Sequence, residues 1–468
     1  MGIFDGFIKT EVNRLLQGQN LYNANTFRWI NKDAPIMMPD NPKTYIEDGY
    51  LKFAAINRCV NLLLNKVASV PVIIYEEKEG ATNQKFKEFQ LLNKSLEIPQ
   101  KFKAQLIKVK TLTETTNKEL QKLIDEPNDM QSWDDWVKYF VGSYLLTGNA
   151  YDYFNGPVID IEKPEKNIYS EHFVLPTGMI QIISGGMNKP VKSFRMEYGT
   201  NQFLDYPESQ IIHWKSFNPE FMWSGSQLYG ISVLRAYLEP ILRNKLGDKE
   251  LSRQMANGGV FGFIGAKNPE HNLSIDQKKE MKQALIDAKK SNDEISRIFP
   301  TGIPLEWTSI GLPVADLKLI EVANLDEESI YKAFNVPLVY SNQDSASYNN
   351  QSTADKQFIY NAIAPLCEDI GSLLTKKLCK GIEKRTGKKF RIYLDYNALP
   401  EMQADMSKIS DWLSKSPELT YNEKREAKGY GRLEITGMDS IFISGNERLI
   451  EDAAIPMSDF PAEFDTPL

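Results

Sequence analysis

The chain has 468 residues, 42% of them hydrophobic and 25% charged, with a formal net charge of −7. That is enough for roughly two to four packed units. The acidic balance excludes a protein that grips nucleic acid along its whole surface, which needs a basic footprint.

The opening "MGIFDGFIKTEVNRLLQ" carries Asp5 and Glu11 and lacks the apolar core of a secretory signal. Gly6 stands where a myristoylation signal needs Ser or Thr. No apolar run is long enough to cross a bilayer. From Tyr50 to Glu77, Ile56, Val60, Leu63, Leu64 and Val67 recur at helical spacing, and "VPVIIYE" reads as a strand. Residues 79–116 are Lys- and Glu-rich with weak periodicity, a surface excursion whose shape the sequence does not specify.

"SWDDWVKYFVGSYLLTG" predicts a helix. Ser132 caps it, Asp134 and Asp135 suit its positive end, and Gly148 stops it. Val137, Phe140, Val141, Tyr144 and Leu145 form its apolar stripe. "NAYDYF" and "QIIHWK" alternate as strands, which makes His213 a half-buried structural residue. Residues 1–233 thus read as a mixed α+β unit.

Residues 234–256 form a helical pattern with Pro240 as an early kink position. A compact α/β insert follows over 257–314. It holds the strand "GGVFGFIG", a helix with a Ser274/Gln277 capping box, and the strand–turn–strand "RIFPTGIPLEWTSIG". A second helical pattern, 315–334, is acidic: Asp316, Glu321, Asp326, Glu327 and Glu328 against Lys318 and Lys332.

The polar stretch "YSNQDSASYNN" comes next, and composition alone reads it as a linker. A long helix then starts at Ser352 and Asp355. Phe358, Ile359, Ile363, Leu366, Ile370, Leu373, Leu374 and Leu378 are its buried face, and Pro365 kinks it. Thr420 and Glu423 cap a last helix that stops at Gly429. After Glu451 the chain is acidic and Pro-rich, which predicts mobility.

Cys59, Cys367 and Cys379 fit no disulfide framework or zinc spacing, which points to a reducing compartment and to buried thiols. His172, His213 and His271 lie far apart and make no metal motif. "GIEKRTGKK" has the wrong spacing for a phosphate loop. The carboxylate pairs in "WDDW" and "DEES" fit helix electrostatics. No enzyme constellation is visible, and no catalytic residue, metal or cofactor is expected.

The order of several blocks resembles the portal proteins of tailed bacteriophages. "AAINRCVNLLLNKVASVPVIIYE" is similar to that family's opening helix and strand. In "LQKLIDEPNDMQSWDDWVKYFVGSYLLTGNAYDYF", Leu123, Pro127, Asn128, Gly148, Asn149, Ala150 and Tyr151 fall in family positions. "SQIIHWKSF…LYGISVLRA", "MANGGVFGFIG", "LIEVANLDEESIYKAFNVPLVYSNQDSASYNN" and "LTYNEKREAKGYGRLE" follow in family order, from about residue 50 to about residue 435. Asn335 stands where the family has glycine, Leu338 replaces its second proline, and residues 79–116 have no counterpart.

The resemblance implies an α+β portal fold in a closed ring of roughly twelve subunits. It maps residues 1–233 to a wing, 234–256 to a first stem helix, 257–314 to a clip and 315–334 to a second stem helix. A tunnel loop spans 335–353, a long wing helix and strand 354–400, and a crown and tail 401–468.

The implied role is the portal vertex of a virion. The ring is assembled in the host cytoplasm, passes double-stranded DNA during packaging and ejection, and acts without a membrane. The implied partners are further copies of the chain, the terminase large subunit, the major capsid or scaffold protein, and head-completion adaptor or tail proteins.

Within that frame Ser341, Asn342, Gln343, Asp344, Ser345, Ser347, Tyr348, Asn349 and Asn350 are expected to face DNA. Glu321, Glu327 and Glu328 are expected to line the stem and repel phosphates, a solvated helix face being the other reading. A monomeric enzyme or binding protein with an unrecognised site stays open as the alternative.

Overall fold

The computed structural model describes residues 33–36, 38, 41–95, 97–186, 188–220, 225–257, 262–266, 274–290, 305–309, 319–341, 348–402, 406–427, 430–431, 433–435, 438–443 and 448–449. After β1 (Pro35–Ile36) and a π-helical turn, Tyr45–Tyr50, the chain enters α1 (Ala54–Ala68) and β2 (Val72–Glu77), as the sequence predicts. Ile56, Cys59, Val60, Leu63 and Val67 are at most 1% exposed, so the helical spacing of apolar residues is what seats α1 in the core.

The segment whose shape the sequence left open has a regular structure. It forms α2 (Asn83–Asn93), α3 (Ile98–Thr111) and β3 (Leu112–Glu114). Its periodicity is weak because only a narrow edge is buried. Phe89 packs on Tyr393 with ring centroids 5.6 Å apart, and the Asn93 amide donates to the Tyr393 hydroxyl at 3.0 Å.

Next come α4 (Lys118–Asp125) and α5 (Trp133–Thr147). Asn117 caps α4, accepting from the Glu119 and Leu120 amides. A capping box holds α5. The Ser132 hydroxyl accepts from the Asp135 amide, and the Asp135 carboxylate accepts from the Ser132 amide, both at 3.3 Å. The Ser132 hydroxyl also donates to the Asp135 carboxylate at 2.8 Å, and this bond, ahead of the one from the Ser132 amide, holds the Asp135 carboxyl below its usual range. One member of the "WDDW" pair is thus a capping residue.

Six strands follow: β4 (Asn149–Asn155), β5 (Glu171–Leu175), β6 (Ile180–Ser184), β7 (Val191–Gly199), β8 (Gln202–Pro207) and β9 (Ile211–Lys215). They make two antiparallel sheets, ordered β5-β4-β9 and β1-β6-β7-β8. A smaller apolar cluster around Ile36, Tyr151, Phe194, Tyr206 and Tyr229 lies between them.

Beyond a 3-10 turn, Val233–Tyr237, runs α6 (Leu238–Asn257). Pro240 falls in its first turn, where a missing N–H costs little. The insert contributes β10 (Gly262–Ala266), α7 (Ile275–Lys290) and β11 (Leu305–Ser309). β10 pairs antiparallel with β11, and the Ser274/Gln277 capping box is formed. The return helix is α8 (Leu319–Ala333).

The long helix is continuous through α9 (Tyr348–Phe358), a π turn Ile359–Ile363, α10 (Ala364–Leu374), a second π turn Thr375–Cys379, and α11 (Lys380–Thr386). The first π turn ends just before Pro365, which has no N–H for the helical ladder, so the irregularity has a covalent cause. β12 (Phe390–Leu394) then pairs with β2. α12 (Met406–Ser414), α13 (Tyr421–Ala427) and a short β13 (Phe442–Ile443) and β14 (Arg448–Leu449) pair complete the described chain. The Thr420/Glu423 box caps α13. Gly429, the predicted stop, and the tail lie outside the described residues.

One main core joins α1, α5, α8, β12 and the long helix. All three cysteines are buried in it, as expected, and burial raises their thiols: Cys59 and Cys379 to about 12, with Cys367 also pushed up.

A cleft of about 1330 Å³ is lined by Lys189, Lys192, Lys215, Lys376, Lys377 and Lys384 beside Ser209 and Ile211. Lys377 donates to the Ser209 and Ile211 carbonyls, and burial pushes its ammonium down to about 8. An unfolded lysine stays protonated to about 10.4, so the unfolded chain binds more protons between these values. The chain is therefore expected to gain stability relative to Lys377→Met as pH rises from about 8 to 10, by up to about 1.4 kcal/mol per pH unit. Paired thermal melts across that range check the sign.

Candidate functional site

One hydrogen-bonded node ties the turn into α6 to the end of α5, and a second joins α4, α5, β4 and β5 in the core. At the first, Gly148 ends α5 with φ 72 and Asn149 opens β4. The Asn149 side chain accepts from the Gly230 amide at 2.7 Å and donates to the Gly230 carbonyl at 2.9 Å. It thereby supplies the donor and acceptor that a neighbouring strand would.

The two backbones touch here. A Cβ on Gly230 would lie 2.1 Å from the Gly148 carbonyl oxygen, so only glycine fits. Two residues on, the Ser232 hydroxyl donates to the Leu146 carbonyl at 2.7 Å and accepts from the Leu234 amide at 3.1 Å. The turn leading into α6 is thus tied to the end of α5.

His213, expected to be structural, belongs to this node. Its Nε2 donates to the Asn149 side-chain oxygen at 3.1 Å, and its ring stacks on Tyr151 at 4.5 Å. Burial pushes its imidazolium down to about 3, so it is neutral.

The second node surrounds His172, which is 1% exposed. Its Nδ1 contacts the Asp152 carboxylate at 2.8 Å and its Nε2 the Leu123 carbonyl at 3.1 Å. A carboxylate and a carbonyl thus hold the two ring nitrogens. The other Asp152 oxygen accepts from the Trp136 indole at 3.1 Å. Backbone bonds from Pro127 and the Asn128 amide side chain hold the same histidine.

α6 and α8 are joined by an ion pair that the sequence did not single out. Asp326 is 5% exposed and accepts from Arg243 at 2.6 Å. At the other flank Asp48 takes Lys52 and Lys245, each at 2.9 Å, and these bonds hold its carboxyl below the usual range, Lys52 first. Ile330 and Tyr331 of α8 are fully buried.

The C-terminus of α8 explains Asn335, the residue standing where the related family has glycine. Asn335 has φ 54. The Val336 amide bonds the Tyr331 carbonyl at 2.9 Å and the Asn335 amide bonds the Lys332 carbonyl at 3.2 Å, which is a Schellman cap. Asparagine is among the non-glycine residues that best tolerate this conformation, so the cap survives the substitution.

The polar stretch that follows is pinned at its base. The Tyr340 hydroxyl donates to Asp355 at 2.5 Å and its ring lies 5.5 Å from Phe358. The Ser341 hydroxyl donates to Glu327 at 3.2 Å.

Two expectations change here. Tyr348, Asn349 and Asn350 are not loop residues but the first turn of α9, which starts four residues before Ser352. Polar residues of weak helix propensity hid that turn, and tertiary packing of the rest of the helix overrides propensity. Asn342, Gln343, Asp344, Ser345 and Ser347 lie outside the described residues.

Glu321, Glu327 and Glu328 do not share one face. At about 100° per residue, Glu321 and Glu328 lie about 20° apart and Glu327 about 100° further round. Glu327 is half-buried and turned to Ser341, while Glu328 pairs with Lys332 at 3.3 Å.

A family model described as "Phage portal protein" matches residues 101–429. An uncharacterized protein of Rickettsia bellii (strain RML369-C) is 19% identical over 392 residues, covering 82% of this chain and 89% of its own. Among solved structures, a chain from the neck of an empty gene transfer agent particle, computed with C6 symmetry, shares the fold. Its TM-score is 0.59 at 17% identity, over 86% of this chain and 97% of that one. A chain from the neck of the native particle, computed with C12 symmetry, gives a TM-score of 0.58 at 17% identity, over 87% and 99%.

Proposed function

This chain belongs to the phage portal protein family and has a portal, or head-to-tail connector, role; from that premise we propose that identical copies close into a ring whose bore passes double-stranded DNA. The observation that carries this reading is the family match over 101–429, which spans the α6/α8 pair, the insert between them and the long helix. The neck chains of similar fold, one computed with C12 symmetry, support a ring of that order and a place in the virion.

In this reading α6 and α8 are the stem and the β10/α7/β11 insert is the clip. The body up to residue 233, with the long helix and β12, is the wing, and residues from 401 on form the crown. The clip and wing present surfaces to the terminase large subunit, to capsid or scaffold protein, and later to adaptor or tail proteins, with assembly in the host cytoplasm. The stretch from Ser341 to Asn350 is assigned to the bore in this reading, on a base where Tyr340 bonds Asp355 and Ser341 bonds Glu327. It contains no Lys or Arg, which suits weak contacts to phosphates and groove edges rather than a grip. The family is structural, and we assign this chain no catalysis.

The acidic stripe carrying Glu321 and Glu328 borders the bore. A cationic lining would release counterions and hold the duplex, whereas an acidic one leaves it free to slide. Negative-stain images and mass photometry of the purified chain are expected to show rings with a central hole. A monomer under all assembly conditions would refute the ring. In a packaging assay with the cognate motor, Glu328→Gln combined with Glu321→Gln is expected to slow DNA movement, most at low salt. Unchanged rates at every salt concentration would remove the lining role.

A further inference from the structure

We infer that the lysine-lined cleft between β9 and the second π turn of the long helix docks an acidic peptide segment of a partner protein. The partner's carboxylates meet Lys215, Lys376, Lys377 and Lys380. The site lies in the body of the chain and does not depend on ring closure.

The cleft measures about 1330 Å³. Small-molecule pockets run to roughly 300–1,000 Å³, so a segment of polymer fits it better. Three of its lysines are already neutralised. Lys189 pairs with Glu208 at 3.2 Å, Lys384 with Glu165 at 3.0 Å, and Lys192 with Asp33. Lys215, Lys376, Lys377 and Lys380 have no ion pair among the described residues. Glu383, on the same wall, pairs with Lys389 at 4.0 Å. Among the described lining residues that leaves four lysines against one carboxylate, Glu162.

Two of the four cations are held in place. The Lys215 ammonium donates to the Gln227 and Leu228 carbonyls, each at 3.2 Å. Lys377 donates to the Ser209 and Ile211 carbonyls and lies 5.5 and 5.7 Å from the ring centres of Phe154 and Tyr169. An ammonium has three N–H donors, so each keeps one after serving two carbonyls. A sunken cation without a counter-ion costs free energy, and a ligand carboxylate offsets that cost. The Ser209 hydroxyl lines the same wall, is buried, and has no hydrogen-bond partner among the described residues. Lys376 and Lys380 are exposed and about one turn apart, so they meet an incoming chain first.

The chemistry favours a peptide over nucleic acid. Every cation lining the cleft is a lysine, and no arginine is among the described lining residues. Phosphates are matched by the flat guanidinium fork, whereas lysine acts as a point charge that a carboxylate at any angle can meet. Apolar side chains, Ile161, Val191 and Leu228, stand between the lysines. An extended peptide that alternates acidic and apolar residues complements both. A duplex offers only a continuous phosphate surface.

The test uses the full-length chain and, as probe, a short fluorescent peptide alternating Glu with Leu and Phe, read by anisotropy. Saturable binding of one peptide per chain is expected, lost when Gln replaces each Glu of the probe. Lys376→Glu combined with Lys380→Glu is expected to weaken binding about tenfold or more. Lys249→Glu combined with Lys279→Glu changes the net charge equally outside the cleft and is expected to leave binding unchanged. All four positions are exposed, so the melting temperature should hold in both variants. Equal weakening by the two pairs would reduce the effect to net charge and overturn the site, as would absence of saturable binding. A short DNA duplex that displaces the peptide would overturn the peptide assignment. Binding seen only after removal of residues 451–468 would make this chain's own acidic stretch the occupant and overturn the partner. Mass photometry of the same samples reads ring formation separately, so each of these failures leaves the ring reading standing.

Discussion

His172→Leu is expected to lower the unfolding free energy by about 2–6 kcal/mol, because it removes the ring nitrogens that hold two buried oxygen partners, at about 1–3 kcal/mol each. Leucine fills much of the space but removes the ring nitrogen that meets the fully buried Asp152 carboxylate. Only the Trp136 indole still donates to that carboxylate. The Leu123 carbonyl also loses its partner. The aromatic stacking of His172 on Phe154, at 4.8 Å, is lost as well. Urea denaturation reads the effect as a lower midpoint with an unchanged slope. A midpoint within about 0.5 kcal/mol of wild type would mean that the node is dispensable. A second comparison separates lost bonding from lost shape. Replacing both members, as His172→Leu with Asp152→Leu, is expected to recover part of the loss, because the buried oxygen left without its partner is removed as well.

Asn149→Ala is expected to cost about 2–4 kcal/mol, because it orphans two buried backbone groups at about 1–3 kcal/mol each. Those groups are the N–H and C=O of Gly230, both of which Asn149 holds. No other side chain can replace it without moving the chain, since the Gly148 and Gly230 backbones are already in contact.

The loss falls on the segment that leads into α6, so its effect is not only global. Limited proteolysis within residues 216–234 is expected to speed up, and the fraction of chain recovered as rings to fall. Equal cleavage rates in wild type and variant would show that the stem base is held elsewhere. Gly230→Ala is expected to be at least as damaging, by steric overlap rather than by lost bonds.

These two nodes give physical content to residues that the sequence marked only by their order. Leu123, Pro127 and Asn128 all bond His172, two of them through backbone carbonyls. Gly148 and Asn149 meet Gly230 across 81 residues of chain. Sequence alone predicts their presence but not their function, because a buried polar residue and an exposed one look the same in a string. His172 and Asp326 illustrate this. One was noted only as a failed metal ligand and the other only as one of five acids on a helix. Each is in fact a buried polar group whose partner lies 20 or more residues along the chain.

By itself the sequence determined what depends on neighbours a few residues away. Helical stripes on α1, α5 and the long helix are legible because burial repeats every turn. Caps at Ser132, Ser274 and Thr420 are legible because a capping side chain bonds backbone three residues on. Tertiary structure decided what depends on distant partners. It folded residues 79–116 into two helices against β12, where only a thin edge is buried. It extended α9 back to Tyr348, and it turned Glu327 from the expected acidic face toward Ser341. It also accommodated Asn335 in a left-handed cap where the family has glycine. For residues 79–116 the deciding contacts lie some 300 residues away, on Tyr393, which local composition does not encode.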